Sequence, residues 1–213
     1  MHLFFDLDGT LTDSRPGIMS GMRHALRAIG REEPSDEALL PFIGPPTHDA
    51  FRALLGSADA ELNERTIRIY RQHYAEHGWA QNSVYPGISA SLKALSEAGF
   101  GLWVVTSKPH VFATRIVEHF ELGPFFQRVY GSELDGVRSH KGELIAHVLE
   151  SEAVRASDAW MIGDRLHDIR GAKQNGLRSA GVLWGYGSRD ELANEGADAI
   201  FSDMPELVRA FTR

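Results

Sequence analysis

Cysteine is absent from the 213 residues. That removes a disulfide framework, a thiol nucleophile and a thiolate metal site, and leaves oxygen or imidazole as metal ligands. No apolar stretch approaches the roughly twenty residues that a bilayer span requires, and the chain reaches Asp6 without a basic-then-apolar leader pattern. The expectation is a cytoplasmic protein with no membrane partner. Lysine is scarce: there are four, at positions 93, 108, 141 and 173, and none between residues 14 and 83. No basic patch offsets the formal net charge of -7, so nucleic acid polymers are not expected as partners, because they are bound through clustered Lys and Arg. An anionic small substrate would need a local cation. Repeats and low-complexity tracts are also missing, and the 43% hydrophobic and 24% charged fractions describe an ordinary folded chain. At this length the natural arrangement is one core domain carrying an insertion.

Short β-rich runs at 3–7, 102–106, 128–131, 159–163, 180–184 and 199–201 alternate with helical patterns such as Ile88-Leu92-Leu95 and Leu144-Ile145-Val148-Leu149. Alternation of this kind predicts a parallel sheet with helices on its faces. More than ninety residues separate the first two strands, although a crossover needs only one helix, and residues 88–98 supply it. Residues 14–83 therefore read as a helical cap, with Ile18-Met22-Leu26-Ile29 on one face, Ser35 as a helix cap and a long segment over 58–77. Residues 12–16 and the Pro-Gly turn Val84-Tyr85-Pro86-Gly87 are its expected hinge. The core is then 1–13 plus 84–213.

The chemistry starts at Phe4-Phe5-Asp6-Leu7-Asp8-Gly9-Thr10, where an apolar strand delivers two carboxylates into a Gly-Thr turn. Side chains alternate along a strand, so Asp6 and Asp8 would share a face if the strand ran through them. Ligands of open α/β sheets bind at the carboxyl ends of strands, which is where these acids fall. Three further strand ends complete a phosphate-handling set. Thr106-Ser107 offers hydroxyls to a phosphate oxygen, Lys141 opens a helix with a compact positive charge, and Gly163-Asp164 with Asp168 supplies hard carboxylates suited to magnesium.

In this order the segments resemble the haloacid dehalogenase superfamily, whose phosphatases carry D-x-D-G-T, a strand-end Thr or Ser, a Lys and G-D-x-x-x-D. The resemblance spans nearly the whole chain. The insertion is similar to the family's C1-type cap, and Thr106-Ser107-Lys108-Pro109 resembles the phosphoglycolate phosphatase branch. Gly163-Asp164-Arg165, His167-Asp168 and Tyr186-Gly187-Ser188 resemble its bacterial 5'-nucleotidase-like members. The resemblance implies a Rossmann-like core with an inserted cap and a magnesium-dependent phosphatase acting on a small phosphorylated metabolite. It makes Asp6 the nucleophile that becomes an aspartyl phosphate, and Asp8 the general acid and base. Asp6, the Asp8 backbone carbonyl and Asp164 would hold Mg2+, while Thr106, Ser107 and Lys141 bind the phosphoryl group and Asp168 orients Lys141 or a water.

Nucleoside 5'-monophosphates are the expected substrates, with phosphoglycolate as the alternative. A phosphomutase or a silent phosphate-binding module are further readings. Dehalogenases lack the second acid that Asp8 supplies, and phosphonate hydrolases need a cap lysine that residues 14–83 do not contain. In the cap, the stiff segment Pro41-Phe42-Ile43-Gly44-Pro45-Pro46-Thr47 is expected to face the substrate through Phe42, and Arg15 and Arg23 are the candidate cations for a substrate carboxylate or second phosphate. The i, i+4 pair His73 and His77 lacks a third ligand and reads as a cap-packing face. His140 and His167 read as helix-end or supporting residues.

Overall fold

The computed structural model describes residues 1–212. Six parallel strands form the main sheet: β1 (His2–Phe5), β4 (Gly101–Pro109), β5 (Arg128–Ser132), β6 (Ala159–Gly163), β7 (Arg178–Val182) and β8 (Ala199–Phe201). Their spatial order is β5-β4-β1-β6-β7-β8. Successive residues of β1 serve opposite faces. Leu3 and Phe5 join one apolar cluster with Leu102, Val104 and Ile162, while Phe4 joins another with Trp103, Val105 and Met161. Burial on both faces is what parallel sheets require, and it explains why these strands read as unbroken apolar runs.

Helices α5 (Ile88–Glu97), α6 (His110–His119) and α10 (Met204–Thr212) cover the first face through Leu92, Ile116 and Leu207. Helices α7 (Lys141–Ser151) and α8 (Leu166–Gln174) cover the second through Leu144, Val148 and Ala172. A shorter helix, α9 (Arg189–Asn194), follows β7. The chain visits β4 and β5 on one side of β1 and then crosses to β6 on the other. The order of connection therefore reverses at β1, which opens a crevice at the carboxyl ends of the central strands.

The insertion leaves the sheet through β2 (Thr12–Asp13) and returns through β3 (Ser83–Val84), which pair antiparallel with Asp13 opposite Ser83. Between them lie α1 (Arg15–Ala28), α2 (Asp36–Leu39), α3 (Thr47–Leu55) and α4 (Ala60–Glu76). The expected stripe on α1 is buried at Ile18, Met22 and Leu26, and the Ser35 hydroxyl accepts from the Ala38 N–H at 3.3 Å. These helices have an apolar cluster of their own, built on Phe51, Ile67, Tyr70 and Tyr74, which meets the core through Phe112 of α6. The architecture is an α/β core with an inserted helical cap.

Three strands end two or more residues from their expected limits. β1 stops at Phe5 rather than Leu7, because the Leu7 carbonyl turns to accept from the N–H groups of Thr10, Leu11 and Thr12. β7 covers 178–182 rather than 180–184; Trp184 has left the ladder and donates its indole N–H to the Thr10 carbonyl at 2.9 Å. β4 continues past Thr106 to Pro109, with a register shift between Val105 and Pro109.

The fully buried Phe51 ring packs on Tyr70 with centroids 5.2 Å apart. Phe51→Ala is expected to destabilise the protein by about 3–5 kcal/mol, by lost transfer energy plus a residual cavity. Urea titration checks this, and an unchanged midpoint would show that the cap cluster contributes no stability.

Candidate active site

Asp6 extends β1 by one ladder bond, its N–H reaching the Ile162 carbonyl at 2.9 Å. The tight turn at Leu7 follows at once, so the turn aims the two acids. The expectation that strand alternation places Asp6 and Asp8 on one face is corrected here, although both line the same cavity. Gly9 makes the turn possible, with φ of +82° and a position where a Cβ would lie 2.3 Å from Asp164 Oδ2. Only glycine meets both demands.

Asp6 Oδ1 accepts from the Leu7 N–H at 2.8 Å and lies 2.9 Å from Lys141 Nζ. Lys141 Nζ also lies 2.8 Å from Asp168 Oδ1 and donates to the Val105 carbonyl at 3.0 Å. An ammonium has three N–H donors, matching these three partners. Asp168 Oδ2 accepts from the Arg165 N–H at 3.1 Å, so the same carboxylate caps α8. The fully buried Asp164 accepts from the Thr10 hydroxyl at 3.1 Å and the Tyr186 N–H at 2.8 Å.

One oxygen from each of Asp6, Asp164 and Asp168 lies within 4.8 Å of the others. Burial pushes the Asp6 carboxyl above the usual carboxylate range; Lys141 opposes this and the Asp168 charge adds to it. Burial likewise raises Asp164 well above that range, helped by Asp168 and Asp6. Burial also works against the Lys141 charge, but Asp168 and Asp6 outweigh it and hold the ammonium charged. Three acids against one lysine leave a surplus of negative charge that a divalent cation would neutralise, and hard oxygens at this spacing fit one.

The irregular end of β4 presents the next group. Irregular strand segments beside a site re-aim side chains, and here Thr106, Ser107 and Lys108 line the cavity. Thr106 Oγ1 accepts from the Lys108 N–H at 3.3 Å, and the Ser107 carbonyl accepts from the Ser132 hydroxyl at 2.9 Å. Lys108 Nζ meets both oxygens of Asp8, at 3.0 and 2.8 Å, and sits 4.7 Å from the centroid of the Tyr74 ring of the cap. Sequence alone gives Lys108 no separate role. Its signal was its place beside the strand-end hydroxyls in a chain with four lysines.

Phe42 lines the cavity with Ile43, Pro45 and Tyr70. Arg15 and Arg23 do not. Arg15 pairs with Asp13 at 3.2 Å, and its N–H donates to the Tyr186 hydroxyl. Arg23 donates to the Pro34 carbonyl at 3.1 Å and pairs with Asp36. The cap cation at the cavity is Arg71. It adjoins the buried stripe of Ile67, Tyr70 and Tyr74 on α4, a pattern readable only once that stripe is known to face the core.

His73 stacks on His24 with centroids 4.3 Å apart and lies 3.3 Å from the Ser20 hydroxyl, packed between α1 and α4. His140 pairs with Asp49 of the cap at 3.8 Å. Burial and the neighbouring cations Arg165 and Lys141 push His167 down to about 4, which leaves it neutral at pH 7. Tyr186 ties the hinge: its hydroxyl accepts from the Ser14 N–H at 2.9 Å and donates to Asp13 at 3.1 Å. Arg165 bonds Glu191 at 2.9 Å and also donates to the Ile43 carbonyl, linking the Asp164 loop to the cap.

The sequence matches the haloacid dehalogenase-like hydrolase family over residues 3–182. The chain belongs to that family. A 5'-nucleotidase of Pseudomonas aeruginosa is 46% identical over 97% of this chain and 93% of its own length. A protein of Mycobacterium tuberculosis named tyrosine-protein kinase PtkA is 42% identical over 88% of this chain and 64% of its own length. The crystal structure of a predicted phosphatase from Clostridium acetobutylicum superposes with a TM-score of 0.95 at 40% identity, covering 99% of this chain and 97% of that one. As a member of this family, the protein is a phosphoric monoester hydrolase.

Gly9→Ala forces a side chain into a left-handed conformation and against Asp164. Strain of this kind costs about 1–3 kcal/mol, so Tm is expected to fall by about 2–12 °C, with most of the activity lost. Differential scanning calorimetry checks this, and a wild-type Tm would show that the turn tolerates a Cβ.

Proposed function

We propose that the protein is a magnesium-dependent 5'-nucleotidase that hydrolyses nucleoside 5'-monophosphates through an aspartyl phosphate on Asp6. The observation that carries this is the Asp6 carboxylate, held through Oδ1 by Leu7 and Lys141, in one cavity with Asp8, the Thr106 and Ser107 hydroxyls and an apolar cap wall. Oδ2, the oxygen not held by Leu7 and Lys141, attacks phosphorus while the bond to the leaving oxygen breaks. Protonated Asp8 gives that oxygen its proton. Asp8, now ionised, takes a proton from water, whose oxygen attacks phosphorus as the Asp6–phosphorus bond breaks. Inorganic phosphate leaves, and both acids return to their starting state. Two displacements replace one difficult step.

Thr106, Ser107 and Lys141 bind the phosphoryl oxygens in this scheme, and Asp168 keeps Lys141 in place. Lys108 pairs with Asp8 in the substrate-free protein. The incoming phosphate dianion competes for the Lys108 ammonium, and Asp8, relieved of that cation, takes from solvent the proton that it then gives to the leaving oxygen. Asp6, Asp164 and the Asp8 backbone carbonyl would hold Mg2+, which supplies charge neutralisation between a carboxylate and a phosphate that otherwise repel.

The nucleotide assignment is supported by the apolar surface of Phe42, Ile43 and Pro45 and by the 5'-nucleotidase relative. Phosphoglycolate is the second reading, favoured by one observation: the Arg71 guanidinium at the cavity, which a small carboxylate would satisfy.

Asp6→Asn retains shape without the nucleophile and is expected to lower kcat by at least about 10³-fold with an unchanged melting curve. Asp8→Asn is expected to cost about 10²–10⁴-fold on nucleotides and less on an aryl phosphate, whose leaving group needs no proton. Steady-state assays check both; wild-type turnover in either variant contradicts the role given to that acid.

Chelation by EDTA is expected to abolish activity and added Mg2+ to restore it. Burial raises the carboxyl groups of Asp6 and Asp164 above the unfolded value. As pH rises past about 4 the unfolded chain releases these protons first, so the metal-free fold loses stability with rising pH. The rise in Tm on adding Mg2+ is therefore expected to be larger near about pH 7.5 than near about pH 5. Equal increments, or full activity after chelation, count against this metal site.

A further inference from the structure

Two residues that line the cap side of the cavity each carry a buried polar atom with no hydrogen-bond partner among the described residues. Arg71 and Tyr74 lie three residues apart on α4, so they share one face of the helix, and both line the cavity. Tyr74 is 2% exposed, and its hydroxyl has no hydrogen bond among the described residues. Arg71 Nε is buried and unpaired in the same sense, and no carboxylate among the described residues lies within ion-pair distance of its guanidinium. Half-buried, it is pushed below the ordinary arginine range chiefly by loss of solvent. Buried polar groups without partners are costly, by about 1–3 kcal/mol each, and beside a cavity a ligand can complete them.

The surrounding wall narrows the chemistry of that ligand. Ile18, Met22, Phe42, Ile43 and Phe112 are apolar, so the missing partner is a single hydrogen-bonding edge on an otherwise flat group. A guanidinium offers only donors, and a tyrosine hydroxyl can donate as well. The edge they complete must therefore carry acceptors. Among nucleobases, guanine presents O6 and N7 side by side and is the commonest bidentate partner of arginine, and hypoxanthine carries the same pair. Uracil and thymine present O4, whereas adenine presents an amino donor beside N7.

We propose that Arg71 and Tyr74 are specificity-determining residues that read the keto edge of the nucleobase, so that the protein prefers 6-keto purine and 4-keto pyrimidine 5'-monophosphates to AMP. This rests on the nucleotidase reading above. A site built to donate hydrogen bonds rejects an analogue that cannot accept them, because its own groups then stay unpaired.

The test is kcat/KM with Mg2+ for GMP, IMP, UMP, AMP, phosphoglycolate and an aryl phosphate, in the wild type, Arg71→Met and Tyr74→Phe. Arg71→Met keeps an unbranched chain of similar reach, and Tyr74→Phe keeps the ring beside Lys108, so melting curves are expected to stay near that of the wild type. The wild type is expected to favour GMP, IMP and UMP over AMP by about tenfold or more. In Arg71→Met the GMP-to-AMP ratio is expected to fall to within about threefold of unity, and Tyr74→Phe to lie between. A structural role for either side chain would lower all substrates together and leave that ratio where it was.

Nucleotides hydrolysed with no preference, or with a ratio that Arg71→Met does not move, overturn the keto-edge proposal and leave the nucleotidase reading standing. A wild type that favours phosphoglycolate over every nucleotide, with a loss confined to phosphoglycolate in Arg71→Met, overturns both and assigns Arg71 to a carboxylate. Should Arg71→Met fail to fold, the GMP-to-AMP ratios of the wild type and Tyr74→Phe decide: equal ratios in the two enzymes overturn the proposal for Tyr74, and a wild-type ratio near unity overturns it for both residues.

Discussion

The site is organised around the Lys141 ammonium, which meets Asp6, Asp168 and the Val105 carbonyl at once. Those partners come from the end of the central strand, the start of α8 and the body of β4. One buried charge thus fixes three elements relative to one another. Replacing lysine by a neutral side chain would leave two carboxylates facing each other away from water, a loss of several kcal/mol by the usual cost of an uncompensated buried charge. Arginine is no substitute, because a planar fork cannot direct three bonds into the compact space that an ammonium fills.

A second lysine does the complementary task at the other acid. Lys108 holds Asp8 by both oxygens and lies against the Tyr74 ring, so one cation joins the core's second carboxylate to the cap. The two lysines divide the first motif between them. Asp6 is tied to a lysine that two other elements also hold, whereas Asp8 is paired with a lysine that meets no other carboxylate. The mechanism proposed above uses that difference, since in it Asp8 changes partners as it moves protons and Asp6 keeps its place.

Much of the fold was legible because parallel strands buried on both faces leave apolar runs, and because the turns between them are marked by glycine and proline. β6 and β8 have the limits that their runs predict. The strand at 180–184 was misplaced because Leu183 and Trp184 are as apolar as a strand, while the use of the indole N–H to close the loop at Thr10 depends on a partner 174 residues away. The acids and hydroxyls of the strand ends could be located from local sequence because each follows an apolar run, and Lys141 because it opens a helical pattern in a chain with four lysines. The cap's cations could not. Arg23 is directed by Asp36 across an interhelical turn and Arg15 by Asp13 at the hinge, whereas Arg71 gains its place from the packing of α4 as a whole.

The pairing of Asp13 with Ser83 has a consequence for descent as well as for mechanics. The insertion enters and leaves the core at adjacent points, so everything between those residues could be exchanged for another module without stretching the chain or disturbing β1. Its apolar cluster is largely self-contained, touching the core through Phe112 and Tyr186. In the reading proposed above, the core is the bed that handles phosphate and the cap is the piece that meets the remainder of the molecule, so the two tasks lie on separable stretches of chain. A lineage can therefore acquire a new diet of phosphate esters by rewriting one contiguous stretch of its gene, while the residues that break the bond stay as they were.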